Sequence, residues 1–407
     1  MRENAGQLRL AEYYLVEGLN AFGTTLFFLG VFFHARFLHG FSDTANLLLA
    51  ATQGGAYVLA TRAGGRFADR VGPNRSVVTG LAGMCLALTL GWQSSQAWGL
   101  FAAVALYSAS TALTWPALEA AIARAPGRVP LARRAGLYNV TWSFTGSAGF
   151  FAGGAIFAFA PDAVFWVPMA AHVLELGWFA LRTNQLPQKT HGSLIAQKDG
   201  LLHADCADHN EDAPATLLRP EAQARFLKSA WIANGLSYFL FGAFAALAPS
   251  LGERLGLDPR LAIWLVSAYL FTRSASFVLF WRWEGWEYSR GWLSAALFLP
   301  PAAFAAVFFV PSPRAVIVAL AVLGAMSGLA YSASLHVSLD REGGEGEGGG
   351  LHEWVIGLGT LLGPFAGAAG VRLLGGIAGA GGLVTALGAA AALIGLAPIL
   401  RRDRHGR

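Results

Sequence analysis

Arg273 lies inside a long apolar run, eight residues before Trp281. At about 1.5 Å per helical residue, that places it roughly 12 Å from the end of the run. A guanidinium at such depth either snorkels to the surface or meets water, an anion or an acidic partner. Its chemistry is therefore recognition of an anionic group or pairing with a buried carboxylate. Glu17 and Glu119 stand about one turn inside two other apolar runs, and each is a candidate carrier of a proton. Their shallow positions favour a plainer reading, an ion pair close to a membrane face. His172 and Glu175 share a helix face at three-residue spacing. His336 closes one apolar run, and His352 with Glu353 opens the next. Glu353 is a third candidate proton carrier, and its charge also suits a helix N-terminus.

Neutral groups able to bind a solute recur in the same runs: Asn20, Thr24, Gln53, Asn139, Trp142, Asn234, Tyr238, Ser267 and Tyr331. Each is also a candidate for an interhelical hydrogen bond, and Trp142 and Tyr238 for packing. His203, Cys206 and His209 recur every third residue beside Asp205, Asp208, Glu211 and Asp212. With only three N/S donors in a polar segment, the reading is a solvated linker, and neither a metal nor a cofactor is expected.

The elements that carry these residues follow from composition. The 407 residues are 55% hydrophobic and only 13% charged, with a mean hydropathy of +0.48. A soluble chain would carry about 25% charged residues, so the sequence reads as an all-α, polytopic membrane protein. Twelve spans are expected. The first six are 13–33, 44–61, 76–92, 97–122, 138–159 and 163–181. The second six are 226–251, 261–281, 291–310, 315–336, 354–374 and 377–400. The first run is too long for a cleavable signal peptide and reads as an uncleaved anchor. Cys85 and Cys206 form no disulfide framework.

Of the 29 lysines and arginines, 23 fall at the termini and in the even-numbered loops. Five (Arg36, Arg254, Arg260, Arg314 and Arg372) fall in the odd-numbered loops, and Arg273 lies in a span. The positive-inside rule then places both termini in the cytoplasm, at a cell (inner) membrane. The basic residues show no interleaving with aromatics, which excludes a nucleic-acid surface. The longest polar segment, 183–225, divides the chain into residues 1–182 and 226–407, each with six spans. The acidic, glycine-rich stretch 340–350 reads as a flexible connection. A shift of 214 residues lays Asn20 on Asn234, Phe27 on Phe241, and Gly136, Gly149 and Gly153 on Gly350, Gly363 and Gly367. Such an offset suits a six-plus-six repeat.

Between the second and third spans stands G-G-R-F-A-D-R-V-G-P-N-R, residues 64–75. Gly72 suits the positive φ of a tight reversal, Gly65 close backbone approach, and Asp69 a helix N-terminus. Gly65-x-x-x-Asp69-Arg70-x-Gly72 resembles the loop between the second and third helices of the major facilitator superfamily. In that pattern two or three basic residues follow; here Pro73 and Asn74 leave only Arg75. The eleventh span also resembles a glycine pattern of the superfamily's drug antiporters, with Gly359, Gly363, Pro364 and Gly367. Span five carries a weaker copy, in which Thr145 and Phe150 replace a glycine and the proline. Generic small-residue packing accounts for both equally.

The resemblance implies two six-helix bundles related by pseudo-two-fold symmetry around a central cavity. It implies a secondary transporter of a small solute, with proton-coupled efflux first and uptake of a polar metabolite close behind. Gly65, Asp69, Arg70, Gly72, Arg75, Gly359, Gly363 and Pro364 would serve conformational change. Asp69 would meet the start of span eleven when the carrier opens outward. The sixth helix is peripheral in the superfamily, so His172 and Glu175 read as packing. Implied partners are a small-molecule substrate, the bilayer and protons as coupling ion, with the chain acting as a monomer. The sequence holds no GxxxxGK(S/T) nucleotide loop, and no enzymatic activity is expected. The competing classes are a membrane-embedded enzyme and a sensor that has lost transport.

Overall fold

The computed structural model describes residues 9–124, 131–157, 159–183, 220–342 and 347–400. Among them, twelve α-helices follow in order. The first six are α1 (Leu10–His39), α2 (Asp43–Val71), α3 (Pro73–Gln93), α4 (Ala97–Arg124), α5 (Leu131–Phe157) and α6 (Ala163–Thr183). The second six are α7 (Pro220–Arg254), α8 (Pro259–Arg282), α9 (Arg290–Phe309), α10 (Pro313–Glu342), α11 (Glu347–Gly370) and α12 (Gly376–Leu400). Nine stretches of the described residues are long and apolar enough to cross a membrane, with Leu351–Leu400 read as one. α2 and α5 fall outside that set, α2 because even its charge-free stretch 44–61 is diluted by polar residues such as Asn46 and Gln53. Large apolar side chains such as Leu59 (82% exposed) and Trp98 (72%) cover the outside, as lipid contact requires.

The two-fold relation is visible in what packs on what. In the first half α1 packs on α5 and α6, α4 on α2 and α3, and α3 on α6. Adding six to each label gives the packing of the second half: α7 on α11 and α12, α10 on α8 and α9, and α9 on α12. The halves meet through α2 with α11 and α5 with α8, a pair of contacts that the same operation exchanges.

Glycines set the closest crossings. A Cβ on Gly149 of α5 would strike the carbonyl of Phe22 on α1, and one on Gly363 of α11 would strike that of Phe239 on α7. Gly359 meets the Gly235 carbonyl, and the Pro364 ring packs on Gly242. These are the small-residue approaches that let helices cross without a hydrophobic drive between them.

The stretch 64–75 departs from expectation. It is not a loop: α2 runs on to Val71, Gly72 alone breaks the helix at φ 88°, and Pro73 opens α3. Proline suits that first helical position, because its missing N–H would have no helical partner there. Gly65 faces open space, and Gly64 makes the close approach instead, against the carbonyl of Ala112 on α4. Most of 340–350 is likewise helical, since α10 extends to Glu342 and α11 starts at Glu347. α7 already begins at Pro220; the rest of the polar segment, with His203, Cys206 and His209, lies outside the described residues. Among the described residues, no group of three or more His, Cys, Asp or Glu is arranged to hold a metal.

Candidate functional site

A cavity of about 170 Å³ lies between the bundles and is lined from both. α1 contributes Glu17, Thr24 and Phe28, α2 Gln53 and Tyr57, α4 Trp115 and Glu119, and α5 Tyr138 and Trp142. From the other half come Tyr238 on α7, Arg273 on α8, Tyr331 on α10, and Glu353 and Thr360 on α11. Nine of the residues singled out in the sequence thus line one space: Glu17, Thr24, Gln53, Glu119, Trp142, Tyr238, Arg273, Tyr331 and Glu353.

Three carboxylates form one pole. Glu17 and Glu119 are not ion pairs at a membrane face, as their shallow positions suggested; α1 and α4 turn both toward the cavity. Glu17 is 1% exposed, and its Oε2 has no hydrogen-bond partner. Tyr138 stands between these two carboxylates and interacts with both, and Glu119 also faces Glu353. Nor is Glu353 at a helix end: α11 begins at Glu347, which carries Glu353 into the wall of the cavity. There its Oε2 accepts a hydrogen bond of 2.6 Å from Tyr57 Oη, joining α11 to α2 across the two halves.

Arg273 forms the other pole. It is 5% exposed, so it does not snorkel, and Nη2 donates to Tyr238 Oη. Its guanidinium carbon sits 5.0 Å from the ring centres of Trp142 and Tyr238, 5.6 Å from Phe277 and 5.7 Å from Tyr331. Such rings stabilise a cation through their negative faces. No carboxylate of the described residues pairs with it, and Nε has no partner. A buried, charged fork with a free donor can receive a carboxylate or phosphate oxygen.

Four of the neutral candidates lie in the walls instead. Asn20 Oδ1 accepts from Trp115 Nε1 at 3.2 Å and from Thr24 Oγ1 at 3.4 Å, so it positions two lining groups. Asn139 Oδ1 holds Trp142 Nε1 at 3.2 Å in the same manner. Asn234 and Ser267 are buried away from the cavity, their side-chain polar atoms unpartnered. The repeat therefore places Asn20 and Asn234 alike in depth and not in bonding. Tyr57, Trp115 and Tyr138 were missed. A lone aromatic in an apolar helix carries no mark of which neighbour its ring faces.

One end of the cavity is closed. Arg36 at the end of α1 pairs with Glu253 at the end of α7, 2.6 Å apart. Ser250 donates to Asp43, and Asn46 Nδ2 donates to the Ala246 carbonyl at 3.3 Å. At the other end Asp69, Arg70 and Arg75 are exposed, and the described backbones of α4 and α5 make few or no close approaches to α10 and α11. Between these ends, Ser274 of α8 bonds Ser143 and Ser147 of α5 at 2.6 and 2.9 Å, and holds the halves together.

Comparison with solved structures shows the same architecture at low identity. A POT-family transporter in complex with 5-aminolevulinic acid matches with a TM-score of 0.73 and 12% identity, over 96% of each chain. A POT-family transporter in complex with a thioalcohol-conjugated peptide gives 0.71, also at 12% and 96% of each chain. The nucleoside transporter NupG gives 0.65 at 12%, over 97% of this chain and 99% of its own. No curated protein matches the sequence. The Major Facilitator Superfamily profile matches residues 14–221, just over half of the sequence. The protein is a multi-pass membrane protein that belongs to the Major Facilitator Superfamily.

Proposed function

We propose that the protein is a secondary transporter that carries a small, partly apolar solute by alternating access, with proton-driven export as the first reading. The observation that carries this is the central cavity, lined by both pseudo-symmetric halves and, among the described residues, closed at one end. Residues 1–182 and 226–407 act as the rocking units, and 183–225 links them in the cytoplasm. With both termini inside a cell membrane, the Arg36–Glu253 end is external, and the conformation described here faces inward. The aromatic lining suits an apolar body, and Arg273 suits an anionic substituent on it. Glu17, Glu119 and Glu353 supply groups able to exchange a proton as the cavity changes sides. No covalent chemistry is needed, and the chain works as a monomer.

Uptake of a polar metabolite is the second reading. The unpartnered Nε of Arg273 favours it, as do the polar cargoes named for the similar structures, a conjugated peptide, 5-aminolevulinic acid and nucleosides. The test starts from a thermal-shift screen of purified protein against metabolites and drugs, since a ligand of the folded state raises its apparent stability. Stabilising compounds are then followed in proteoliposomes with an imposed proton gradient. Gradient-driven flux decides direction and coupling. A protein that binds such compounds and moves none of them is a sensor rather than a carrier.

A further inference from the structure

A chain of hydrogen bonds leaves the cavity at Thr24 and runs away from it. Thr24 Oγ1 lies 3.1 Å from Tyr107 Oη on α4, and that oxygen lies 2.7 Å from His172 Nε2 on α6. His172 Nδ1 lies 2.8 Å from Glu175 Oε2. Beyond Thr24 none of these groups touches the cavity, and Tyr107, His172 and Glu175 are fully buried. The last atom, Glu175 Oε1, has no hydrogen-bond partner. Phe27 and Phe28 pack on the Tyr107 ring at 4.5 and 5.2 Å, and Gly23 of α1 leaves the space that the His172 ring fills.

Packing alone would not select these side chains. An imidazole and a carboxylate in an apolar interior are costly, where two amides would serve the same bond at less cost. What they add is a protonation state. With one proton beyond the neutral imidazole's own, held on Glu175 as a carboxylic acid, the pair is neutral. Without that proton it is a single buried negative charge. The titratable groups that face it are Glu17 on α1, Cys85 on α3 and Tyr107 on α4, none of them cationic. Tyr138 on α5 turns to Glu17 and Glu119 instead, and Arg182 on α6 itself pairs with Glu12.

We propose that His172 and Glu175 form a proton-binding site outside the cavity, filled and emptied through Tyr107 and Thr24. Every link is a hydroxyl or an imidazole, which both donates and accepts. A hydronium ion in the cavity passes a proton to Thr24 Oγ1 and is left as water, while that hydroxyl turns its own proton from Asn20 to Tyr107 Oη. Tyr107 gives its proton to His172 Nε2, and His172 Nδ1–H passes to Glu175. One proton enters, one negative charge is neutralised, and only O–H and N–H bonds exchange. The site deepens the proton-coupled reading, although proton binding itself needs no substrate.

The test is infrared difference spectroscopy of the full-length protein in lipid nanodiscs, following the carboxylic C=O band between acid and alkaline buffer and its shift in heavy water. The expected result is a buried-carboxyl band that is present in acid buffer and lost in alkaline buffer. Glu175→Gln removes that band, and Glu175→Asp moves it should the Gln variant not fold. Tyr107→Phe keeps the band and slows its deuterium exchange by roughly a hundredfold, the loss of one proton-transferring group. A Glu175 band indifferent to pH overturns the site, and unchanged exchange in Tyr107→Phe overturns the route. Proton-driven flux alongside an indifferent band removes this site and leaves coupling intact. A responsive band with flux that ignores the gradient keeps the site and removes coupling.

Discussion

Arg36 and Glu253, 217 positions apart in the sequence, form a two-pronged ion pair between the bundles: Nη2 and Nε lie 2.6 and 3.2 Å from the two carboxylate oxygens. Arg36 also lies 3.8 Å from Asp43, which draws the start of α2 into the same clasp. The pair is partly exposed, so solvent screens it, and its contribution is about 0.2–1 kcal/mol. That is small against folding and appreciable against a balanced equilibrium between two carrier states.

Arg36→Ala or Glu253→Ala should therefore shift the population toward opening at this end by up to about fivefold, with little change in stability. Labelling of a cysteine at Ala245, from the side where Arg36 lies, reads the shift. Combining Arg36→Glu with Glu253→Arg should restore much of the closed population. Equal labelling in wild type and single variants would show that the pair is ornamental to the cycle.

Arg273→Ala should abolish transport while expression and monodispersity stay normal. The variant loses a guanidinium held by Tyr238 and four aromatic faces, with nothing in the walls to replace its free Nε. Lysine should rescue poorly, because it lacks the planar fork. Near-normal transport by the alanine variant returns Arg273 to a packing role.

The architecture was legible because spans and basic loops are written in composition, and the offset of 214 anticipates the repeat. Arg273 was legible for a related reason: a charge in an apolar run has few places to go. The faces of polar helices were harder to read. Glu17 and Glu119 looked shallow because depth along the chain says nothing of rotation about the helix axis. Asn234 and Ser267 failed the other way, as each helix turned them into a wall. Tyr57 gave no signal at all, since its partner Glu353 lies on a helix 296 positions away.

Glu353→Gln separates binding from coupling. A glutamine oxygen can still accept from Tyr57, so the bridge between α2 and α11 survives while the titrating group is lost. If Glu353 carries the coupling proton, gradient-driven flux falls at least about tenfold and substrate exchange without a gradient persists. Tyr57→Phe should instead cost about 1–3 kcal/mol through the unsatisfied carboxyl, seen as a lower Tm. Full gradient dependence in Glu353→Gln assigns coupling to other carboxylates.

Neighbouring glycines of α2 should respond in opposite directions. Gly64→Ala drives a methyl group into the Ala112 carbonyl, at a cost of about 1–3 kcal/mol. Gly65→Ala meets open space and gains up to about 1 kcal/mol of helix propensity. Thermal unfolding in detergent reads both. A loss at Gly65 equal to that at Gly64 would mean that Gly65 has a neighbour in another state of the carrier.

Asp69 is the residue whose role the conformation described here leaves disengaged. It is exposed on the last turn of α2, at the end where the described backbones of α4 and α5 come least close to α10 and α11. When that end closes, the positive N-terminus of α11 is the partner available to it, an interaction of up to ~2 kcal/mol in a partly buried setting. Glu353 does not compete, because Tyr57 holds it inside the cavity. The acidic Glu347 at the start of α11 does, unless Arg70 or Arg75 offsets it. A gain of that size moves a balanced equilibrium about thirtyfold. Asp69→Asn should thus leave expression normal, enrich the state seen here and slow transport. Single cysteines at Thr25 and Ala245, in a chain freed of Cys85 and Cys206, report accessibility from each side. Unchanged accessibility together with an unchanged rate reduces residues 64–75 to a signal for membrane orientation.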